Sequence, residues 1–169
     1  TTCVTEESIM SQQHLEIPED LFRYQLRSAL TMEQHSLQAL DELYAAARDT
    51  KVKKLFAHHA DETRDQITNL EKVFDLLGVV KSTAPSPATT GIKKQASALL
   101  EKADPALHDQ IALMSALGNE HFEISAYEGL ILQAQAFSAG DAAKLLQDNL
   151  GQETHTSEEL HSALQDLLA

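Results

Sequence analysis

The sequence predicts an all-α protein, folded as an antiparallel four-helix bundle of two helical hairpins. Ala, Leu, Gln and Glu, which favour helices, are frequent, whereas Gly occurs 6 times and Pro 4 times in 169 residues. Apolar residues recur at steps of three and four over long stretches, and β-branched runs with period two are absent. We therefore expect residues 18–169 to form one helical domain and residues 1–17, which show no period, to form an N-terminal arm or linker.

The first predicted helix begins at Pro18 and runs to about Arg48. Pro18 followed by Glu19 and Asp20 favours a helix start, because Pro is tolerated in the first turn and acids stabilise the positive end of the dipole. Its apolar face continues through one carboxylate, Glu33. A carboxylate in a dry core costs several kcal/mol unless a partner such as a cation compensates it. Glu33 is thus the first candidate metal ligand.

The second predicted helix spans about residues 52–77 and follows a tight reversal, so it runs antiparallel to the first. At about 100° per residue, His59 and Thr63 lie at the centre of its apolar face. Glu62 lies on one side of that face, and Asp61 points away from it. His59 and Glu62 are therefore further candidate ligands.

A long crossover separates this hairpin from the second one. Residues 79–90 have the composition of a loop, and residues 91–102 form a short amphipathic helix. The third long helix opens at Asp104-Pro105 and runs to about Phe137, and the last begins after a tight turn at residues 139–141. Two hairpins joined by a long crossover have the connectivity of ferritin-like bundles.

The second hairpin also carries carboxylates near the predicted core. The third helix has a broad apolar face that includes His121 and Glu128, with Glu120 at its edge and Glu123 projecting toward the edge. Glu153 lies at the centre of the apolar face of the last helix. Each of the four long helices therefore offers at least one carboxylate to the interior.

Carboxylates with a few imidazoles favour iron or manganese, and the scarcity of thiolates disfavours structural zinc. A structural interpretation stays open for each residue taken alone. A buried Glu can pair with another side chain, such as that of Arg64, and a core histidine can be hydrogen-bonded to a neighbour. Glu158-x-x-His161 matches a ligand pattern, but the helical period places Glu158 on the solvent side.

Composition excludes several partners and compartments. The net charge of −13 opposes binding to nucleic acids and to anionic membranes. Cys3 is the single cysteine, so no internal disulfide framework exists and a reducing compartment fits. No apolar run approaches the roughly 20 residues of a membrane span, and the start lacks the features of a signal peptide. We expect a cytoplasmic protein with metal ions as partners.

Two blocks of the sequence resemble a known bacterial group. They are E-H-aromatic-E-I-x-x-Y at residues 120–127 and H-x-x-E-T at residues 59–63. These blocks, within a similarity over roughly residues 19–168, are similar to the YciE/YciF-type ferritin-like stress-response proteins. The resemblance implies a candidate di-metal (di-iron) centre, a homodimer and an association with stress.

The resemblance also implies one acidic ligand from each long helix: Glu33, Glu62, Glu120 or Glu123, and Glu153. Glu62 is preferred to Asp61, which faces outward. The E-x-x-H pattern of related di-iron proteins is incomplete, because Asp65 stands three residues after Glu62 and Thr156 three residues after Glu153. His59 could supply an imidazole from one turn earlier.

Two functions of different classes are compatible with these patterns. The first is a ferritin-like protein that binds one or two iron or manganese ions and, if redox active, oxidises Fe(II) or consumes peroxide. The second is a metal-free dimeric bundle that acts as a structural or protein-interaction stress protein. In the second case, Arg64 and the histidines would neutralise the core acids.

Overall fold

A computed structural model describes residues 14–169 of the chain. All regular structure in this part of the chain is helical: α1 (Pro18–Ala46), α2 (Thr50–Leu77), α3 (Pro87–Lys102), α4 (His108–Ala136) and α5 (Gly140–Leu168), with a 3₁₀ turn at Pro105–Leu107. The long helices form two hairpins, and α3 lies on the crossover between them. The predicted four-helix bundle with a short crossover helix is confirmed. Most of the predicted N-terminal arm lies outside the described residues.

Side chains near the helix ends explain where the helices begin and end. Before α1, the carboxylate of Asp20 accepts the backbone N–H of Glu16 at 3.2 Å. Before α2, the carboxylate of Asp49 accepts the N–H of Lys51 at 2.6 Å, which satisfies a donor that the first turn leaves unpaired. Gly78 ends α2 in the left-handed conformation, with φ of 62°, which glycine adopts without a steric penalty. The crossover helix begins at Pro87, earlier than predicted.

The turn between α1 and α2 is fixed by a residue of the second hairpin. Asp109, in the first turn of α4, accepts the backbone N–H of Arg48 at 2.7 Å and that of Asp49 at 3.1 Å. These bonds satisfy two turn amides and join the first hairpin to α4. We refer to this contact as the Asp109 clamp.

The bundle core has two apolar ends separated by a polar layer. One apolar end lies near the α1–α2 turn and includes Leu40, Phe56, Leu113 and Leu160. The other lies near the α4–α5 turn and includes Leu26, Phe74, Leu130 and Leu146. Between them, each long helix buries polar side chains. These buried polar residues are Glu33 and Ser36 on α1, His59, Thr63 and Gln66 on α2, Glu120 and Glu123 on α4, and Asn149, Glu153, Thr156 and Ser157 on α5.

The crossover helix α3 packs against α1 and α4. The hydroxyl of Thr31 donates to the backbone oxygen of Ala84 at 2.7 Å, and the hydroxyl of Ser28 donates to that of Pro85 at 2.9 Å. These bonds hold the start of the crossover on α1. As a result, α3 covers the groove between α1 and α4 beside the polar layer.

The predicted apolar face of α4 was wrong. His121 and Glu128 are exposed, and Met114 is 53% exposed. The face that packs into the bundle instead carries Glu120 and Glu123, both buried. The error has a physical cause, since α4 is apolar on nearly all sides and its inward face is made partly of small alanines. Among residues 14–169, no helix is long and apolar enough to cross a membrane.

Candidate metal centre

Four side chains from three helices converge in the polar layer. His59 on α2, Glu120 and Glu123 on α4 and Glu153 on α5 each offer a ligand atom, and these atoms all lie within 4.8 Å of one another. All four residues are buried. The sequence left Glu120 and Glu123 as alternatives, whereas the structure brings both into the same group. We call these four residues the His59 cluster.

Glu33 lies beside this cluster on α1 and is fully buried. The hydroxyl of Tyr127 donates to Glu33 Oε1. Asn149 Nδ2 donates to the Tyr127 hydroxyl at 3.0 Å, and Asn69 Nδ2 donates to Asn149 Oδ1 at 2.9 Å. Burial raises the pKa of Glu33 to about 8, although the bond from Tyr127 lowers it and the charge of Glu120 raises it further. Glu33 is therefore fixed through one oxygen.

His59 joins α2 to α4 through Glu120. Its Nε2 lies 2.8 Å from Glu120 Oε1, and both side chains are 1% exposed. Burial alone lowers the pKa of His59, but the charge and hydrogen bond of Glu120 outweigh burial and raise the pKa to about 10. In the metal-free protein His59 is therefore a cation at neutral pH, and it neutralises one of the core carboxylates.

Glu62 lies at the solvent edge of the site, outside the His59 cluster. Its side chain is 16% exposed and lies 3.5 Å from His59 Nδ1. Its Oε2 accepts the hydroxyl of Thr156 at 3.1 Å, and the exposed His58 lies 3.5 Å from its Oε1. The hydrogen bond with His59 lowers the pKa of Glu62 despite partial burial. Thr156 occupies the position at which an E-x-x-H pattern beginning at Glu153 would have its histidine. Its hydroxyl binds Glu62 instead.

Several buried carboxylate oxygens have no hydrogen-bond donor. Six of those in the described part of the chain lie in the polar layer: Oε2 of Glu33, Oε2 of Glu120, and both oxygens of Glu123 and Glu153. Burial raises the pKa of Glu123 and Glu153 well above the usual range, and repulsion from neighbouring carboxylates raises it further. Buried carboxylates remain only if they are protonated or compensated by cations. The donor set of oxygens and one imidazole fits iron or manganese.

Comparison with known proteins identifies the family of this chain. Residues 17–169 match the family described as a domain of unknown function (DUF892). The chain belongs to the DUF892 family. Protein YciF of Escherichia coli (strain K12) is 28% identical over 140 residues, which cover 82% of this chain and 84% of YciF. The resemblance to the YciF-type proteins is thereby confirmed.

Solved structures share the fold. YcfI of Rhodopseudomonas palustris, described as a candidate structural protein, is 29% identical with a TM-score of 0.85, over 89% of this chain and 96% of YcfI. The Escherichia coli stress protein YciF is 25% identical with a TM-score of 0.85, over 90% of this chain and 97% of YciF. A protein of Xanthomonas campestris pv. campestris, 21% identical with a TM-score of 0.72 over 89% of this chain and 93% of its own, shares the helical fold.

Other sequence candidates of this DUF892 chain lie away from the site. Arg64 Nη1 pairs with Asp61 at 2.7 Å, and both side chains are more than half exposed. Arg64 therefore neutralises a surface acid and not a core one. His121 and Glu158 are exposed, so the prediction that Glu158 faces solvent is confirmed, whereas the core position predicted for His121 was wrong.

Sequence reasoning missed the polar residues that support the acids of this DUF892 site. Neither Tyr127 nor Asn149 is among the candidate residues that the sequence predicts. Their helical positions carried the signal, because Tyr127 lies one turn after Glu123 and Asn149 one turn before Glu153. Gln66 is also fully buried, and both its amide atoms are without a hydrogen-bond partner in the described chain.

Proposed function

We propose that this DUF892 protein binds two iron or manganese ions in its polar layer. The six unpaired buried carboxylate oxygens are the observation that supports this function. Carboxylates at such separations repel one another, and no buried arginine or lysine side chain pairs with them in residues 14–169. Two divalent cations would supply four positive charges at the point where these acids converge.

The proposed ligands divide into a central and a peripheral group. Glu33 Oε2 and the His59 cluster supply the central ligands from all four helices. Glu62 supplies the peripheral ligand, because it is the partly exposed acid next to His59. The fixed oxygen of Glu33 leaves its second oxygen for a cation, whereas Glu123 and Glu153 have two oxygens each and are able to bridge.

Cation binding must displace protons from these residues. Glu33, with a pKa of about 8, and His59, with a pKa of about 10, hold their protons at pH 7 in the metal-free protein. Imidazole binds metal only in its neutral form, so loading releases protons to the buffer. Titration calorimetry in two buffers of different ionisation enthalpy measures this release, and we expect at least one proton per chain.

Bound iron or manganese would supply one-electron redox chemistry, so we propose oxidation of Fe(II) or consumption of peroxide as the activity. The name of the Escherichia coli relative, a stress protein, supports a role in stress response. The residues of this chain would hold the ions in a dry core, where only Glu62 among the proposed ligands is in contact with solvent. We also keep as predictions a cytoplasmic location and a homodimer.

A metal-free structural role is the alternative, and one observation favours it. The raised pKa of Glu33, Glu123 and Glu153 means that these acids can remain buried as neutral groups without any ion. The description of YcfI as a candidate structural protein agrees with such a role. The two functions differ in metal content, which can be measured directly.

Elemental mass spectrometry on untagged protein decides between them. The protein is purified, loaded anaerobically with Fe(II) and dialysed, and iron per chain is measured. We expect about two retained ions in the wild type and their loss in Glu33→Ala and Glu153→Ala. The exposed Glu158 on α5 gives a matched control, since Glu158→Ala should retain wild-type iron. A wild-type protein that retains no metal would contradict the proposal.

A further inference from the structure

A small cavity lies between α1, α3 and α4, directly beside the His59 cluster. The volume open to the centre of a water-sized molecule is about 20 Å³, and ~10–15 Å³ is enough to hold one water. The cavity thus has room for one small molecule. We call it the crossover cavity, and its walls include Ser36, Ala39, Thr89, Ala96, Ser115 and Glu120.

The crossover cavity and the proposed metal centre share Glu120. One oxygen of this carboxylate, Oε1, contacts His59 Nε2 at 2.8 Å. The other oxygen, Oε2, is buried and has no hydrogen-bond partner among residues 14–169. The side chain is 1% exposed. A molecule in the cavity would therefore lie against a carboxylate that also belongs to the His59 cluster.

The charged side chains of the cavity wall, Lys93 and Glu120, disfavour ions of either sign. Lys93 lines the cavity with a side chain that is 29% exposed and lies 3.4 Å from Glu42. The ammonium group of Lys93 opposes the entry of metal cations, and the carboxylate of Glu120 opposes that of anions. The hydrogen bond between His35 and Thr89, at 2.9 Å, fixes the wall between α1 and α3. The rest of the lining is mainly apolar, which suits an uncharged molecule.

We propose that the crossover cavity binds a small uncharged oxidant, dioxygen or hydrogen peroxide, beside Glu120. This inference rests on the proposed metal function, since only a redox-active centre would use such a molecule. The proposal gives cations and the uncharged oxidant separate routes to the metal centre. Cations reach the ligands at the exposed edge that Glu62 marks, and the uncharged ligand arrives from the side that α3 covers.

Filling the cavity tests the inference. Ala39→Leu and Ser115→Leu each add a bulky side chain to its wall, whereas Ala45→Leu adds the same bulk at an exposed position of α1. Nitric oxide, a small uncharged diatomic, is the probe, and stopped-flow absorption follows its binding to the anaerobic Fe(II)-loaded protein. We expect binding to be at least tenfold slower in the two filled variants and unchanged in Ala45→Leu.

Two further measurements keep the test decisive. Iron content and far-UV circular dichroism show whether each filled variant folds and binds iron. If the filled variants do not fold, Ile92→Ala takes their place. This substitution enlarges the cavity from α3 and should accelerate the binding of nitric oxide. A second arm follows the loss of added hydrogen peroxide in the same anaerobic proteins. If the filled variants bind nitric oxide more slowly but consume peroxide at the normal rate, the cavity serves dioxygen. The opposite result means that the cavity serves hydrogen peroxide.

The outcomes separate this inference from the function on which it rests. Filled variants that retain wild-type iron, bind nitric oxide and consume peroxide at wild-type rates would overturn the inference and leave the metal function intact. Iron-loaded wild type that reacts with neither nitric oxide nor peroxide would overturn the inference and the proposed peroxide activity, and would leave metal binding intact. Failure of the wild type to retain iron would overturn the metal function, and the inference with it.

Discussion

The two hairpins supply proposed ligands that differ in how firmly they are held. In the α1–α2 hairpin, Glu33 accepts a hydrogen bond from Tyr127 and His59 is bonded to Glu120. In the α4–α5 hairpin, Glu123 and Glu153 have no donor for either oxygen within the described chain. Hydrogen bonds therefore fix Glu33 and His59 of the first hairpin and Glu120 of the second, whereas Glu123 and Glu153 of the second hairpin are not held in this way.

This difference shows where the metal-free protein is under electrostatic stress. Hydrogen bonds to Glu33 and Glu62 offset part of their desolvation, but Glu123 and Glu153 must keep their protons to remain buried. A bound cation would consequently stabilise the second hairpin more than the first. Each of the following predictions tests whether the asymmetry between the hairpins is real.

The largest expected effect is on the pH dependence of the metal-free protein. The folded-state pKa of Glu33 is about 8, and those of Glu123 and Glu153 also lie above their unfolded value of 4.5. Their contribution to stability is complete below pH 4.5 and is lost as the pH rises toward 8 and beyond. The free energy of unfolding should therefore fall by several kcal/mol over this window, at about 1.4 kcal/mol per pKa unit.

Urea unfolding in the presence of a chelator measures this decline. The same measurement on iron-loaded protein should show a weaker decline, because cations take the place of the protons. Equal slopes with and without iron would contradict both the assignment of the acids as ligands and the asymmetry of the hairpins.

Charge removal should separate the two hairpins at pH 8. Glu153→Gln replaces a carboxyl group that must hold a proton to stay buried with a neutral amide, so we expect the metal-free protein to gain roughly 1–3 kcal/mol in the free energy of unfolding. Glu33→Gln removes a charge that Tyr127 already stabilises, so the gain should be smaller. Equal gains in the two variants, measured by urea unfolding, would show that the hydrogen bond to Glu33 makes no difference.

Loss of the Tyr127 hydroxyl should make the first hairpin resemble the second. Tyr127→Phe leaves Glu33 Oε1 and Asn149 Nδ2 each with one partner fewer. We expect a loss of about 1–2 kcal/mol in the free energy of unfolding and a metal affinity about tenfold to a hundredfold lower. Tyr44→Phe, at an exposed tyrosine of α1, is the control and should alter neither quantity.

Substitution of Glu62 should have the smallest effect on the free energy of unfolding. Glu62 is the partly exposed acid of the site, and water can replace its hydrogen bonds with Thr156 and His59. Glu62→Gln should change the free energy of unfolding by less than about 1 kcal/mol, while slowing the uptake of Co(II) followed by its absorption. A normal rate of uptake would argue against entry of cations at this edge.

The sequence predicted the helices well and the orientation of one of them poorly. Clear spacing of leucines on α1 and α5 placed Glu33 and Glu153 in the core, where both are fully buried. On α4, exposed apolar residues such as Met114 and Leu132 hide the inward face. An apolar period identifies a buried face only when the opposite face is polar, which explains why His121 was placed inside and Glu123 near the edge.

The helical period of apolar residues could not identify the residues that support the site, for a different reason. Tyr127 and Asn149 act across helices, on Glu33 and on each other. Helical periods order the residues of one helix but do not show which residues of two helices face each other. The crossover cavity is likewise a product of three helices, so only the assembled bundle shows it.

The Asp109 clamp has a consequence for the way in which this chain folds. Arg48 and Asp109 are 61 residues apart, so their contact closes a long loop whose entropy must be offset by other interactions. Until α4 arrives, the turn amides of Arg48 and Asp49 are left to water. The first hairpin can form early as a local unit, but its turn reaches its final geometry only with the second hairpin. The clamp thereby couples the geometry of the α1–α2 turn to the docking of the second hairpin.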